Sequence, residues 1–326
     1  MTAETMEGTV IKRDLRVNWR SVLEDWMIFF LFVALFLICA ATVDRFLEPS
    51  NLMNIARQVS FLAIVAFGQF FVILIAQMDL SIGSSIGLTS VLLAGLVAKS
   101  GLPIWVALVG IFVVSVVIGL INGALVMIGN VPAFIGTLVM MNVLMGVSYL
   151  YSRGLPISGL PSGFNYLGMG YFIGVPVPVY LMILVGAACH VFTSYTALGR
   201  AFYAVGGNPD AARLSGINVR FVGALAFVLC SLLATLGSVG LTARTMSGSA
   251  SLGDSMLFDV ITVVVLGGTS LFGGRGSILG VAIAALLTGV ISNAMILLGI
   301  DTYFQWIVKG LILIIVVLID VNSKRN

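Results

Sequence analysis

Two ionisable residues stand inside long apolar runs of this sequence, Asp259 in the run 256–272 and Lys309 in the run 303–320. A charge in hydrocarbon costs roughly 3 kcal/mol on insertion scales, which makes each a functional candidate by default. They could neutralise one another or belong to a proton relay. A relay recruits several Asp, Glu or His residues, and the single histidine, His190, lies in an apolar run, so a structural pair or an interfacial location is the better reading. Asp79 opens "DLSIGSS", where an acid followed by small residues suits a helix start as well as it suits a solute contact. Gln69, Asn122, Asn142 and Asn293 are amides within apolar runs. Such groups hydrogen-bond sugar-like hydroxyls or bridge helices. Bridging is favoured for any one of them, while as a set, with Asp79, Asp259 and the aromatic Phe134, they suggest a path for a neutral polar solute. "GGTSLFGGRGS" at 267–277 lacks the Gly-Lys-Ser/Thr ending of a phosphate loop and reads as close helix packing followed by a tight turn. Cys39, Cys189 and Cys230 fall in apolar runs without metal-ligand or redox spacing and read as buried thiols.

A second chemistry-bearing stretch is polar, "GGNPDAARLSGI" at 206–217. Asn208 suits an N-cap, Pro209 the first helical position, Asp210 the positive helix end and Gly216 the C-terminal closure. Isolated helices under about 12 residues are marginal in water. The helix must therefore dock, either on its own membrane domain or into a partner to which Arg200, Arg213 and Arg220 offer polar contacts.

The elements that position these residues are membrane helices. The 326-residue chain is 60% hydrophobic and 9% charged, with mean hydropathy +1.16, against about 25% charged in an average soluble domain. Net charge is +3 with dispersed basic residues, which leaves no footprint for nucleic acid. Crossing about 30 Å of hydrocarbon takes roughly 20 apolar residues, and backbone groups in lipid must be satisfied internally. Ten runs qualify as helices: 27–43, 57–77, 84–98, 103–128, 132–152, 175–194, 220–243, 256–272, 278–298 and 303–320. The expected organisation is a tail at 1–26, disordered or forming an interfacial helix, a transmembrane domain at 27–320, and a short tail at 321–326. With the N-terminus inside, ten basic residues fall on cytoplasmic segments and five on external ones, which follows the positive-inside bias. Both termini are then cytoplasmic, and 195–219 becomes the largest internal cytoplasmic loop.

The chain also matches itself weakly at an offset of 170 residues. "LSIGSS" at 80–85 faces "ASLGDS" at 250–255, "GLINGALVMIG" at 119–129 faces "GVISNAMILLG" at 289–299, and Phe134 faces Phe304. The paired spans lie an odd number of crossings apart, so the halves would be inverted, a recurrent construction of transporters with the solute path where the halves meet.

"LGRAFYAVGGNPDAARLSGINV" at 198–219 and "VVVLGGTSLFGGRGSILG" at 263–280 resemble the permease subunits of bacterial ABC importers of the ribose, xylose, arabinose and galactoside class. "DLSIGS" at 79–84, "IGLINGALV" at 118–126, "PAFIGTLVMMN" at 132–142 and "QWIVKGLILI" at 305–314 fit the same family in order. The resemblance implies an all-α polytopic permease fold of about ten helices, working as a dimer with an identical or related permease. Its implied partners are cytoplasmic ABC ATPase subunits and a periplasmic sugar-binding protein. This chain would be no enzyme and would bind no cofactor, ATP and Mg acting through the partner ATPase. Gly199, Arg200, Gly206, Gly207, Asn208, Pro209, Asp210, Ala211, Ala212, Arg213, Leu214, Ser215 and Gly216 would form the element that couples to that ATPase. Two departures stand out: Ala76, Gln77 and Met78 replace the family's Gly-Gly-Ile, and Leu257 and Phe258 precede Asp259 where the family reads Glu-Leu-Asp. The implied function is passage of a pentose or hexose across the bacterial inner membrane, with an autoinducer or nucleoside as the narrower alternative. An ion-driven carrier acting alone is the rival mechanism, and a membrane-embedded enzyme lacks any catalytic constellation.

Overall fold

The computed structural model describes residues 19–325, and each apolar run contains a helix. Helices α1 (Trp19–Thr42), α2 (Pro49–Leu74), α3 (Ile82–Ala98), α4 (Ile104–Met127) and α5 (Ala133–Ser152) come first. A connection follows with β1 (Ile157–Ser158), a short 3-10 turn, α6 (Tyr166–Met169), β2 (Tyr171–Phe172) and β3 (Val175–Pro176). Then come α7 (Val177–Tyr195), α8 (Ala197–Gly207), α9 (Pro209–Leu214), α10 (Val219–Thr245), β4 (Ser247–Gly248), α11 (Met256–Leu266), α12 (Ile278–Leu297) and α13 (Thr302–Arg325). The strands are two-residue clips: β1 pairs antiparallel with β4, placing Ile157 opposite Gly248, and β2 pairs antiparallel with β3.

Among the described residues six helices, α2, α4, α5, α7, α10 and α12, are long and apolar enough to cross a bilayer. Four other expected spans are shorter apolar helices at 27–42, 82–98, 256–266 and 302–318. The expected span 256–272 is cut short because Gly267 caps α11 and Gly268 takes φ +82, a left-handed turn that ends the helix. Its 11 residues reach about 16 Å at 1.5 Å per residue, half the hydrocarbon thickness. Helix α13 continues through the expected tail at 321–326 as far as Arg325. Residues 1–18 of the expected N-terminal tail lie outside the described residues.

Shifting α2 by 170 positions lands it on α10, and α3, α4 and α5 land on α11, α12 and α13. Packing obeys the same exchange. Gly119 and Gly123 of α4 sit against Val228 and Ala224 of α10, while Gly289 of α12 sits against Val59 and Ile55 of α2. Where α2 meets α10, Gly68 faces Cys230 and Leu233, Gly237 faces Val65, and Gly240 faces Phe61. The numbers rise on one helix as they fall on the other, so these equivalent helices run antiparallel and the repeat is inverted. At the centre Gly83 and Gly253, themselves 170 apart, meet backbone to backbone, each lying where the other's Cβ would point. The main core gathers around α2, which is buried along most of its length through its own Ile64, Phe67, Phe70, Phe71 and Ile73, and it includes Phe227 of α10.

Candidate functional site

The capped polar stretch is the second arm of an elbow formed by α8 and α9. Thr196 caps α8, its Oγ1 accepting from the Gly199 N–H at 2.9 Å. Gly199 is buried because the chain doubles back there onto the backbone of Phe192 and Thr193 in α7. Phe202 then locks α8 to its neighbours through edge contacts with Phe71 of α2 and Phe192 of α7, with centroids 5.4 and 5.9 Å apart. Asn208 ends α8 and starts α9: its extended backbone breaks the helix, and its Oδ1 accepts from the Ala211 N–H at 3.0 Å. The expected short helix is α9, and it begins where it does because a residue that is both cap and break cannot continue α8. Pro209 fills the first turn of α9 and Asp210 pairs with Arg213 at 3.0 Å.

The other end of α9 closes through two bonds, Ile217 N–H to Ala212 O and Gly216 N–H to Arg213 O, both 3.0 Å, with Gly216 at φ +84. Ser215 Oγ donates to Ala211 O. Ala212 alone of α9 is buried. Leu214 is 88% exposed, and the Arg213 and Asp210 side chains are 73% and 82% exposed. Arg200, Gly207, Asn208, Pro209 and Ala211 are also exposed. A six-residue helix carrying an uncovered leucine has little of its own to hold it. A crevice beside it is lined by Gln77, Met127, Asn130, Asp210, Arg213 and Arg220.

Gly206 is buried, and a Cβ there would strike the Leu74 carbonyl at the end of α2 and come within 2.6 Å of the Gly274 nitrogen. The 267–277 segment is thus the tight turn its glycines suggest, seated on α8. Gly274 N–H donates to Leu74 O at 2.9 Å, and Tyr203 Oη of α8 donates to Gly276 O at 3.1 Å.

The expected pathway residues divide into separate groups. Gln69, Asp79 and Asn122 converge, all within 2% of full burial. The seven residues between α2 and α3 are not helical, and Asp79 Oδ1 accepts from Ser81 N–H at 2.8 Å and Ser81 Oγ at 2.6 Å just before α3 begins. Asn122 Nδ2 of α4 donates to Ser81 Oγ at 2.9 Å and to Asp79 Oδ2 at 3.3 Å. Cys230 of α10 donates to Gln69 Oε1 at 3.4 Å. Gln69 Nε2 and Asn122 Oδ1 have no protein partner. Irregular backbone within a membrane is tolerated where protein covers it, and here side chains from three helices do so.

Asn293 lies elsewhere, in a reciprocal amide pair with Asn51 at 2.7 and 3.0 Å, a bridge between α12 and α2. Asp259 and Lys309 form an ion pair of 2.7 Å between α11 and α13, with side chains 17% and 20% exposed. Phe134 and Asn142 lie apart from these groups, on α5. Phe134 is 58% exposed, and exposed Asn142 turns its Nδ2 back to the Leu138 carbonyl of its own helix at 3.0 Å. Sequence reasoning missed Ser81, Asn51 and Tyr203, whose partners are distant in the chain; a hydroxyl or amide in an apolar run was the signal available.

The family described as "Branched-chain amino acid transport system / permease component" matches residues 51–317. The ribose import permease protein RbsC of Bacillus subtilis (strain 168) is 39% identical, over 94% of this chain and 95% of its own length. RbsC of Haemophilus influenzae is 40% identical, over 89% of this chain and 91% of its own. The D-allose transport system permease protein AlsC of Escherichia coli (strain K12) is 33% identical, over 85% of each. No solved structure matches the chain.

Proposed function

The chain belongs to the branched-chain amino acid transport system / permease component family, and from that premise we propose that it is the permease subunit of an ATP-driven importer that passes a monosaccharide, a pentose or hexose. The family and the apolar helices make it a multi-pass inner-membrane permease, not a catalyst in its own right. The sugar reading is supported by relatives named for ribose, xylose and D-allose, which span most of their length in this match. Both termini and the α8–α9 elbow are assigned to the cytoplasm on the distribution of basic residues.

One observation carries the mechanism: a short, doubly capped helix that buries only Ala212 and leaves Leu214 and the Arg213–Asp210 pair uncovered. It is a shape made for a partner surface. Two cytoplasmic ATPases take α9 from each of two permeases. ATP binding draws the ATPases together, α9 follows, and the permeases reopen toward the other side in an alternating-access cycle. A periplasmic binding protein supplies the sugar, and the buried amides hold the helices rather than the solute.

Arg213→Glu reverses one exposed charge and frees Asp210 from its pair. Membrane insertion should stay normal while ATP-dependent uptake falls about tenfold, a coupling loss of ~1.4 kcal/mol. Uptake of radiolabelled ribose in vesicles holding the permease, its ATPase and its binding protein is the measurement. Wild-type rates in the variant would remove the coupling role from α9, and uptake by the permease alone in an ion gradient would replace the ATP-driven reading with a secondary carrier.

A further inference from the structure

We propose that the glycine loop 267–277 is the positioning element that carries displacement of the α8–α9 elbow into the membrane helices, with Gly206, Tyr203 and Asp320 as its fixing points. The inference rests on the coupling role proposed for α9 and names the part that must receive its motion.

The α9 helix has only Ala212 buried and little grip on the bundle. The α8 helix does grip it, through backbone rather than side chains at one face. A Cβ on Gly206 would collide with Leu74 O, and one on Gly273 would lie 2.8 Å from both Ala76 N and Gly206 O. One on Gly274 would lie 2.8 Å from the Gly207 Cα. Gly273 and Gly274 hold φ +79 and +74, a conformation that lets the loop bring its main chain this close.

Four polar bonds then tie the loop to three different helices. Gly274 N–H reaches Leu74 O of α2 at 2.9 Å, and Tyr203 Oη of α8 reaches Gly276 O at 3.1 Å. At the opposite edge Asp320 of α13 accepts from the Leu271 N–H at 3.0 Å and from Ser270 Oγ at 3.4 Å. The loop is also the covalent link between α11 and α12, the former too short to span on its own.

Side-chain contacts absorb small shifts by changing rotamer, whereas a main-chain contact with no intervening atoms passes the shift on. Movement of α8 therefore reaches α2, α11, α12 and α13 through one loop. The α2 helix in turn leads directly into the break that holds Asp79.

The test uses the whole transporter, permease with ATPase and binding protein, in liposomes, reading sugar moved per ATP hydrolysed. Tyr203→Phe and Asp320→Asn each weaken one fixing point without adding an atom, and Gly206→Ala forces the main chains apart. Expected is normal co-purification of the ATPase, hydrolysis no longer raised by sugar-loaded binding protein, and a ratio of sugar to ATP at least fivefold lower in Gly206→Ala. Tyr203→Phe and Asp320→Asn should show smaller drops of the same kind, and they decide the matter if Gly206→Ala fails to fold. An unchanged ratio in Tyr203→Phe and Asp320→Asn, or uptake and hydrolysis falling in proportion, overturns the inference and leaves the loop a structural part. Absence of ATP-dependent uptake in the unaltered transporter would instead overturn the function proposed above.

Discussion

The two halves of the inverted repeat share a helical frame and solve the same problem of a buried acid differently. In the first, Asp79 precedes α3 and is held by Ser81 and Asn122, donors that leave no opposite charge in the contact. In the second, Asp259 on α11 is matched by Lys309 on α13. The frames diverge at the same place: α3 runs 17 residues while α11 stops after 11 and hands over to the glycine loop. A duplicated scaffold thus keeps its backbone packing while its polar groups are free to change, because close glycine contacts constrain geometry more tightly than hydrogen-bond partners do.

The difference is sharpest when one partner is removed. Lys309→Met leaves a carboxylate partly buried and unpaired, and should destabilise the protein in detergent by about 3 kcal/mol, the low end for a broken buried pair. Adding Asp259→Leu should recover most of that loss. In the first half Asp79→Asn removes the charge itself and strands no ion, so its thermal unfolding should shift by only about 1–2 kcal/mol. Equal losses in the two halves would mean that Asp79 also depends on an opposite charge.

A smaller effect separates the halves at their meeting point. A Cβ on Gly253 runs directly into the Gly83 carbonyl, while one on Gly83 stands 2.8 Å from the Gly253 carbonyl. Gly253→Ala should therefore cost about 2–3 kcal/mol and Gly83→Ala about 1 kcal/mol by the same unfolding measurement. Reversed order would show that the contact relaxes on the α11 side.

Smallest is the loss of a single polar bridge between the halves. Ser90 of α3 and Thr242 of α10 share a hydrogen bond of 2.7 Å, and Thr242→Val should cost about 0.6 kcal/mol, the average for such bonds between membrane helices. A loss several times larger would mark the bridge as more than local.

The helix positions, the capped stretch at 208–216 and the repeat could be read from sequence because each has a local signature: an apolar run, a cap residue, a shared offset. The facing of polar residues could not. In a helix apolar on every side hydropathy does not rank the faces, so Asn142 looked as internal as Asn122 yet sits exposed on α5. The Asn51–Asn293 bridge joins residues 242 apart, a pairing no local pattern contains. The end of α11 was misread for a related reason: Leu271 and Phe272 extend the apolar run past Gly267 and Gly268, but the positive φ at Gly268 decides the backbone.

The contact of Gly83 with Gly253 has a kinematic meaning. Atoms on a pseudo-two-fold axis move least when two bodies rotate about it, so a rocking of one half against the other leaves this close contact nearly still. A main-chain contact this close would serve such a rotation as its bearing, and a bearing works best where neither surface carries a side chain.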